Sequence, residues 1–502
     1  VRTPENADCA ATGAVIAASS ESDSKKVWAE TPHSPAAVLR IARRGARVNS
    51  SGFRAGQGIR QTRKWAVLLL AAVYAALGIA PRARARSNAP TFYENVLPIL
   101  QQRCQSCHHA GEISMPLVTY AQTRPYAQAI AKSVRKRTMP PWFADPRFGK
   151  FSNNPTLSRR EIRTIIAWAA AGAPVGNPED APPARHWATG WRIPRPDKVI
   201  RMPVPVQVRA HGIMPYTYEI VPTGFTKNEW VQMVQLRPSI PALVHHAVVY
   251  VRPPHSHWLP HAPIGVPFTA SSLKDAQDRR DARWNDARLL IVYAPGSPPD
   301  EWPNGLAKFV RAGADFVFQL HFMPMGHAAK VRASVGMVFA KTPVKHRVVT
   351  LQLTNSSFLI PPEASNFPVE AWGTLPNNAT LLDIFPHMHL RGKRFEFNIV
   401  HKNGKVQTLL YVHYNFKWQL HYKLAKPLHL KAGTKLQAIG WYDNSWKNPY
   451  NPDPNVAVRW GDQDFDEMFI GFFDVAIPPG ENKYEFFVRH PAPKKAAKVK
   501  RP

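Results

Sequence analysis

The stretch Asp383-Ile384-Phe385-Pro386-His387-Met388-His389-Leu390-Arg391-Gly392 reads as an extended segment ending in a glycine turn. Side chains alternate along such a backbone, so His387 and His389 face one side and can converge on one metal ion, with Met388 on the other side. Four further residues suit the same chemistry: His245 and His246 at the head of an apolar run, His321 within Phe318-Gln319-Leu320-His321-Phe322, and Met468 after Asp466-Glu467. Copper and zinc both accept imidazole, and a thioether leans towards Cu(I). Consecutive residues of a regular strand point to opposite faces, so His245 and His246 can share an ion only if the strand bends or bulges there. Pro241, shortly before, fits an irregular start. Gln319 lies two positions from His321 and on its face, as a group that orients water or an oxygen path or as packing. Asp383, Asp443, Asp466 and Glu467 are the acids placed to orient an imidazole through its second ring nitrogen, or to cap loops.

Upstream lies Cys104-Gln105-Ser106-Cys107-His108. Two thiols three apart at a helix edge can each add to a porphyrin vinyl while the next imidazole reaches the iron, the attachment pattern of a covalent haem c. His108 is the expected fifth ligand. The sixth is Met139, held in Met139-Pro140-Pro141-Trp142, or else Met115, which also precedes a proline. A methionine opposite the histidine leaves no open iron position, so this centre transfers electrons. His109 is read as facing solvent or a haem propionate.

The chain of 502 residues has room for two to four domains, and 49 Pro with 24 Phe, 15 Trp and 14 Tyr favour fixed loops and extended structure. Residues 1–60 are small, polar and basic, and read as disordered or as translated sequence upstream of the true start. In residues 61–86, Arg63 and Lys64 precede the apolar run from Trp65 to Ala80, followed by Pro81 and Arg-Ala-Arg-Ala. This is an export signal cleaved after about Ala85, or a retained membrane anchor, and it predicts a periplasmic or secreted protein with no stable membrane span after cleavage. Residues 88–176 carry helical signals, including a capping box at Ser158 and Glu161. A Pro-rich linker, 177–197, leads to short alternating runs over 198–358 and 359–492, and a basic tail covers 493–502. Segment 256–288 reads as a long loop with a short helix, its His255, His257 and His261 as loop residues. The net charge of +31 suits anionic surfaces or an acidic redox partner protein. No recognition motif or aromatic–basic interleaving supports nucleic acid. With Cys9, Cys104 and Cys107 as the only cysteines, no disulfide framework is available.

Residues 91–176 resemble the single-haem cytochrome c modules of secreted bacterial proteins, through Pro98-Ile99-Leu100, Arg124-Pro125-Tyr126, Met139 to Trp142 and Gly172-Ala173-Pro174. That resemblance implies covalent haem and Met139 as ligand. Residues 195–490 resemble the copper type II, ascorbate-dependent monooxygenases, the peptidylglycine and dopamine hydroxylating family. Its His-His pair falls on His245-His246, its Gln-x-His strand on Gln319-Leu320-His321, its His-x-His and glycine on His387 to Gly392, and its Glu-Met on Glu467-Met468. The resemblance implies a fold of two all-β, jelly-roll-like sandwiches after the small all-α cytochrome c domain. It also implies two copper ions in separate pockets, one held by His245, His246 and His321, the other by His387, His389 and Met468, which binds oxygen. Family members from animals carry disulfides that this chain cannot form, and their substrate-binding groups find no match here.

The function expected is hydroxylation of a C–H bond in a small organic substrate by dioxygen. Electrons pass through the haem, which replaces or supplements ascorbate or another external reductant. The rivals are a copper-binding electron-transfer protein of the cell envelope without enzymatic activity, and a metal-free sandwich scaffold.

Overall fold

A computed structural model describes residues 89–112, 114–187, 190–283, 288–294, 297–480 and 488–490. The expected N-terminal extension, the signal segment, Cys9 and the basic tail lie outside them. All described residues fall within one compact unit, Arg86–Pro502. No helix among them is long and apolar enough to cross a membrane.

The chain begins with a small helical region. Residues Phe92–Val96, wound in π turns, run into α1 (Leu97–Arg103), followed by α2 (Ala127–Arg135) and α3 (Arg159–Ala170). The capping box forms as read from the sequence: Glu161 N donates to Ser158 Oγ at 3.2 Å and Ser158 N to Glu161 Oε2 at 2.6 Å, satisfying amides that a helix start leaves open. Phe92, Leu100, Ile165 and Trp168 close a small core, against which Cys104 and Met115 pack.

A large, mostly antiparallel β region follows. Nine of its strands matter for the site: β1 (Thr217–Pro222), β2 (Val244–Arg252), β3 (Arg288–Tyr293), β4 (Leu306–Val310), β5 (Asp315–Phe322), β6 (His346–Thr354), β7 (Ala379–Met388), β8 (Tyr422–Leu430) and β9 (Phe469–Ile477). A four-stranded sheet, β1-β5-β2-β3, turns Ala247, Val249, Phe316, Phe318 and Leu320 into a first core. A nine-stranded sheet passes through both halves of the region, because β4 and β6 pair in parallel, His346 beside Leu306. Its far half, with β6, β9, β7 and β8, encloses a second core against a five-stranded sheet that includes Gly392–Val400 and Lys435–Tyr442. The runs read as strands from alternation form strands. Strand β8, which holds Lys423, Lys426 and Pro427 and lacks a clean alternation, lies at the sheet edge, where an absent N–H and charged side chains are tolerated. Segment 256–288 carries a 3-10 turn, Ala270–Ser272, and a helix, Ala276–Arg283, as expected of a loop with a short helix.

The helical region is built into the second half rather than tethered to it. After Met139-Pro140-Pro141, the Trp142 ring packs on Tyr422 at 4.9 Å, His413 N donates to Phe143 O at 3.0 Å, Asp145 N donates to Tyr411 O at 2.8 Å and Ser152 N to Lys423 O at 2.9 Å. The linker is anchored as well: Trp187 stacks on His109 at 5.2 Å and donates to Gln105 Oε1 at 3.2 Å, and Arg192 N donates to Gln235 Oε1 at 2.7 Å.

The two sheets around the second core pack closely at Gly440, where a Cβ would lie 2.8 Å from the Phe469 ring and 2.9 Å from Met388 Sδ. Both neighbours adjoin the candidate ligands, so Gly440→Ala is expected to lower stability by about 1–3 kcal/mol, read as a lower thermal midpoint of the metal-free chain.

Candidate metal centre

The strand β2 carries the irregularity its sequence requires. Val244 pairs with Phe322 and His246 with His321, so His245 is an extra, bulged residue after the 3-10 turn Pro241–Leu243. The bulge turns two successive imidazoles to one place, and donor atoms of His245, His246 and His321 all lie within 4.8 Å of one another. The Nδ1 atoms of His245 and His246 are 3.2 Å apart. Two nitrogens bound to one tetrahedral ion at about 2.0–2.1 Å would stand about 3.3 Å apart. The outward nitrogens are taken: His246 Nε2 meets the Tyr216 hydroxyl at 3.0 Å and His321 Nε2 meets Asp464 Oδ2 at 3.4 Å. His321 Nδ1 is buried without a partner. An acceptor on Nε2, as Asp464 is for His321, selects the tautomer whose Nδ1 lone pair faces inward, as outer partners do for metal-binding histidines.

The second group sits where β7 ends. His387 and His389 face the same side with ring centroids 5.2 Å apart and planes at 90°, and Met388 is buried in the second core, as alternation dictates. His387 Nδ1 meets Gln419 Oε1 at 2.7 Å. His389 is fully buried and neither ring nitrogen reaches hydrogen-bond geometry, although the carbonyls of Asp466 and Gln463 lie near. The main chain around the pair is clamped. Glu467, itself fully buried, accepts from His389 N at 2.9 Å and Arg391 N at 2.6 Å, and the Tyr414 hydroxyl donates to Met388 O at 2.7 Å. Met468 is half-buried, with its carbonyl held by the Tyr442 hydroxyl at 2.6 Å. Met388 pairs with Phe469, so one further step of that register brings Met468 level with His389.

The acids named from sequence have other partners. Asp383 faces His421 Nδ1 at 3.4 Å, Asp443 accepts from Ser445 Oγ at 2.6 Å, Asp466 accepts from Gln463 N at 3.3 Å, and Glu467 holds backbone. The groups that touch the imidazoles are Tyr216, Gln419 and Asp464, which no local spacing marks. Gln319 is fixed at both ends, its Oε1 accepting from Tyr250 at 3.2 Å and its Nε2 donating to Tyr218 at 2.9 Å.

The two groups adjoin, instead of occupying the separate pockets implied by the resemblance: His246 and His387 have ring centroids 5.9 Å apart. The outer face of β2–β3 meets that of β7–β9 through Val248, Val292 and Phe385, which brings the histidine ends of β2 and β7 to one rim. Phe416 covers this rim, 4.7 Å from His245 and 6.3 Å from His389. Burial holds the imidazoles neutral: it depresses His245 and His387 to about 4 and His321 to about 3, and takes His246 and His389 well below the ordinary value. Burial raises Asp464 to about 7 and Glu467 to about 8. Neutral, inward-facing and partly unpartnered imidazoles suit a metal cation.

In the helical region Cys104 and Cys107 are free thiols, and burial pushes Cys104 up to about 12 and raises Cys107. Neutral thiols are poor soft-metal ligands. His108 Nδ1 meets Met115 O at 3.1 Å, leaving Nε2 as the donor, an arrangement that fits an axial haem ligand. Met139 is half-buried in the loop before Trp142, and Met115 packs on the helical core beside Cys104. Among the loop histidines, His261 joins Asp275 and Asp278 in a second, more exposed group of donor atoms within 4.8 Å of one another.

No family model matches the chain, and no curated protein does. Among solved structures it is similar to PNGase F, a glycosylasparaginase from Flavobacterium meningosepticum, at 12% identity over 59% of this chain and 100% of that one, with a TM-score of 0.30. A structure of the infectious bursal disease virus Gx strain shares 9% identity over 58% of this chain and 74% of that one, with a TM-score of 0.14. Scores this low bear on neither fold nor function.

Asp464→Asn leaves every imidazole in place but weakens the acceptor on His321, so metal affinity at the three-histidine group is expected to fall about 10–100-fold, measured by competition with a chelator. The buried imidazoles of the metal-free chain have depressed folded pKa values, so below about 6.5 their unfolded forms bind more protons and they contribute a loss of stability towards about 4, whereas the raised carboxyls of Asp464 and Glu467 contribute the opposite sign. Urea midpoints of the chain and of His387→Gln at neutral and acid pH separate the two: the substituted chain is expected to lose less stability in acid, and an equal loss refutes the histidine contribution.

Proposed function

We propose that this chain is an exported copper-dependent monooxygenase that hydroxylates a C–H bond of an organic substrate with dioxygen and draws its electrons through a covalent haem c. The observation that carries the reading is the gathering of five imidazoles, four of them buried and His245 half-buried, into two adjoining groups, with His321 Nδ1 buried without a partner and His389 fully buried. His245, His246 and His321 would hold one copper, and His387, His389 and Met468 the other. Cys104, Cys107 and His108, with Met139, would hold the haem. These assignments match the copper type II monooxygenase pattern, with its paired jelly-roll sandwiches, residue for residue. Two all-imidazole or imidazole–thioether sets suit copper, whereas zinc would leave the electron-transfer module without a role.

Bound copper would supply one-electron redox chemistry and an open position for dioxygen, and the haem would supply electrons. The protein's own part is positioning. Insertion of one oxygen atom consumes two electrons and two protons from outside the substrate and releases one water. Asp464 and Gln419, as acceptors, keep His321 and His387 in one tautomer, and Tyr216 holds the His246 ring in orientation. Glu467, Tyr414 and Tyr442 fix the backbone that carries His389 and Met468, Phe416 keeps water off the rim, and Gln319, held by two tyrosines, presents its amide two residues from His321. Burial of His246, His321, His387 and His389 to 8% exposure or less favours one alternative, a copper electron-transfer protein of the envelope without enzymatic activity.

The test is metal analysis and EPR on haem-loaded protein, followed by oxygen uptake with candidate substrates. The expected outcome is two coppers reduced along with the haem, and oxygen consumption matched by hydroxylated product. Copper below one equivalent, or binding unchanged by His389→Ala and Met468→Ala, overturns the metal assignment. Uptake without product leaves the electron-transfer alternative.

A further inference from the structure

We infer that Met323 and Met325, with His211 and His327 beside them, form a surface site for a soft monovalent metal ion, Cu(I), and that this site feeds the three-histidine group. The feeding rests on the functional reading above; the site itself stands on the loop that follows β5.

Methionine is among the residues most often buried, and the chain follows that rule with one departure. Of its ten methionines only Met323 and Met325 are exposed, at 48% and 52%, and the others are buried or half-buried. One residue separates the two in Met323-Pro324-Met325-Gly326-His327, directly after the strand that carries His321. Single apolar side chains on a surface need no account, whereas a pair of thioethers at this spacing does. Pro324 fixes its own φ and confines Met323 to extended backbone. Residues two apart on such a backbone lie on one side and about 6–7 Å from each other, a span that two long, flexible thioether side chains close around one ion.

The backbone that holds the pair is pinned. Met323 N donates to Leu243 O at 3.0 Å, and Gly326 N to Ala210 O at 2.9 Å. Beyond that bond Ala329–Val331 pairs with Val206–Val208, Ala329 beside Val208. The segments carrying His211 and His327 thus run side by side, and both histidines are exposed. Two thioethers and two imidazoles make a soft donor set without a carboxylate, which favours Cu(I) over hard cations.

The site is also placed to serve the buried group. Leu320 and Phe322 turn into the first core, so His321 lies on the opposite face, and Met323 follows it on that face towards solvent: exposure rises from 6% at His321 to 48% at Met323. Leu243, which accepts from Met323 N, comes two residues before His245. An ion held by the thioethers therefore stands at the outer end of the face that carries His321. Its passage inward exchanges neutral sulfur donors for neutral nitrogen donors, and no electron or proton moves.

The test uses the full chain with copper removed and its methionine methyls isotope-labelled, beside Met323→Leu, Met325→Leu and the double variant. Ag(I) alone, a redox-inert stand-in for Cu(I), is added in excess of the cysteines, and the methyl signals are followed by NMR. Those of Met323 and Met325 are expected to shift together, and each single variant to weaken the shift of the remaining partner. Cu(I) is then supplied as its bicinchoninate complex, and uptake is read as loss of that complex's absorbance, with the final copper content recorded. The double variant is expected to take up copper severalfold more slowly and to reach the same content. Leucine keeps the apolar surface that the pair shares with exposed Ile213 in the adjoining loop, so a merely apolar patch would survive the change and a thioether site would not. Methyl signals that do not move overturn the site, and a wild-type uptake rate in the double variant overturns its feeding role. Copper that is not retained by the unsubstituted chain, with the methyl shifts intact, overturns the functional reading and leaves the surface site standing.

Discussion

Five imidazoles, four of them buried and His245 half-buried, are kept neutral, and this is the constraint on which the rest of the structure depends. A buried ring nitrogen without a partner costs about 1–3 kcal/mol, and His321 has one, while fully buried His389 has only the carbonyls of Asp466 and Gln463 near its ring. A fold meets such a cost only where something bound compensates it, and a cation does so best when the outward nitrogens are already engaged. That is the arrangement here: Tyr216 and Asp464 serve the first group and Gln419 the second. Around them the backbone is held by buried Glu467 and by tyrosine hydroxyls, so the ligand positions are set by the scaffold and not by the metal alone.

The architecture explains why two groups from distant parts of the chain adjoin. The parallel pairing of β4 with β6 carries one sheet through both cores, so the halves share a wall. The outer face of β2–β3 then lies on that of β7–β9 around Val248, Val292 and Phe385, and the histidines occupy the end of this contact. Asp464, from the loop before β9, reaches across to His321 of β5. The second half thus contributes to the donor set of the first, whose His321 would lose its outer partner without it.

The helical region is equally committed. Its loop from Trp142 to Ser152 pairs with backbone of the second half, and the linker lies along the motif with Trp187 and Arg192 as anchors. A small domain with few core residues gains stability this way, and the chain has no disulfide to use instead. The same contacts hold the motif, through Gln105 and His109, and the loop that follows Met139.

Much of this was legible along the chain wherever the physics is local. Alternation put His387 and His389 on one face and Met388 in the core, and it demanded a bulge at His245 that the strand pairing contains. The Ser158–Glu161 capping box and the Cys-x-x-Cys-His spacing are short-range geometry, readable without a fold. What escaped was the set of side chains that touch the imidazoles. Asp383, Asp466 and Glu467, close in sequence to the candidate ligands, and Asp443, which is not, serve other partners, whereas Gln419 and Tyr216 come from 32 and 30 residues away. Strand β8 escaped because its Pro427 and lysines are admissible only at an edge, and being an edge is a property of the sheet. The sequence by itself therefore determined the candidate ligands of the three-histidine group and the local backbone shape they need. Only the tertiary structure decided that the two histidine groups adjoin and who orients them, because packing two twisted sheets against each other sets distances that no periodicity along one strand encodes.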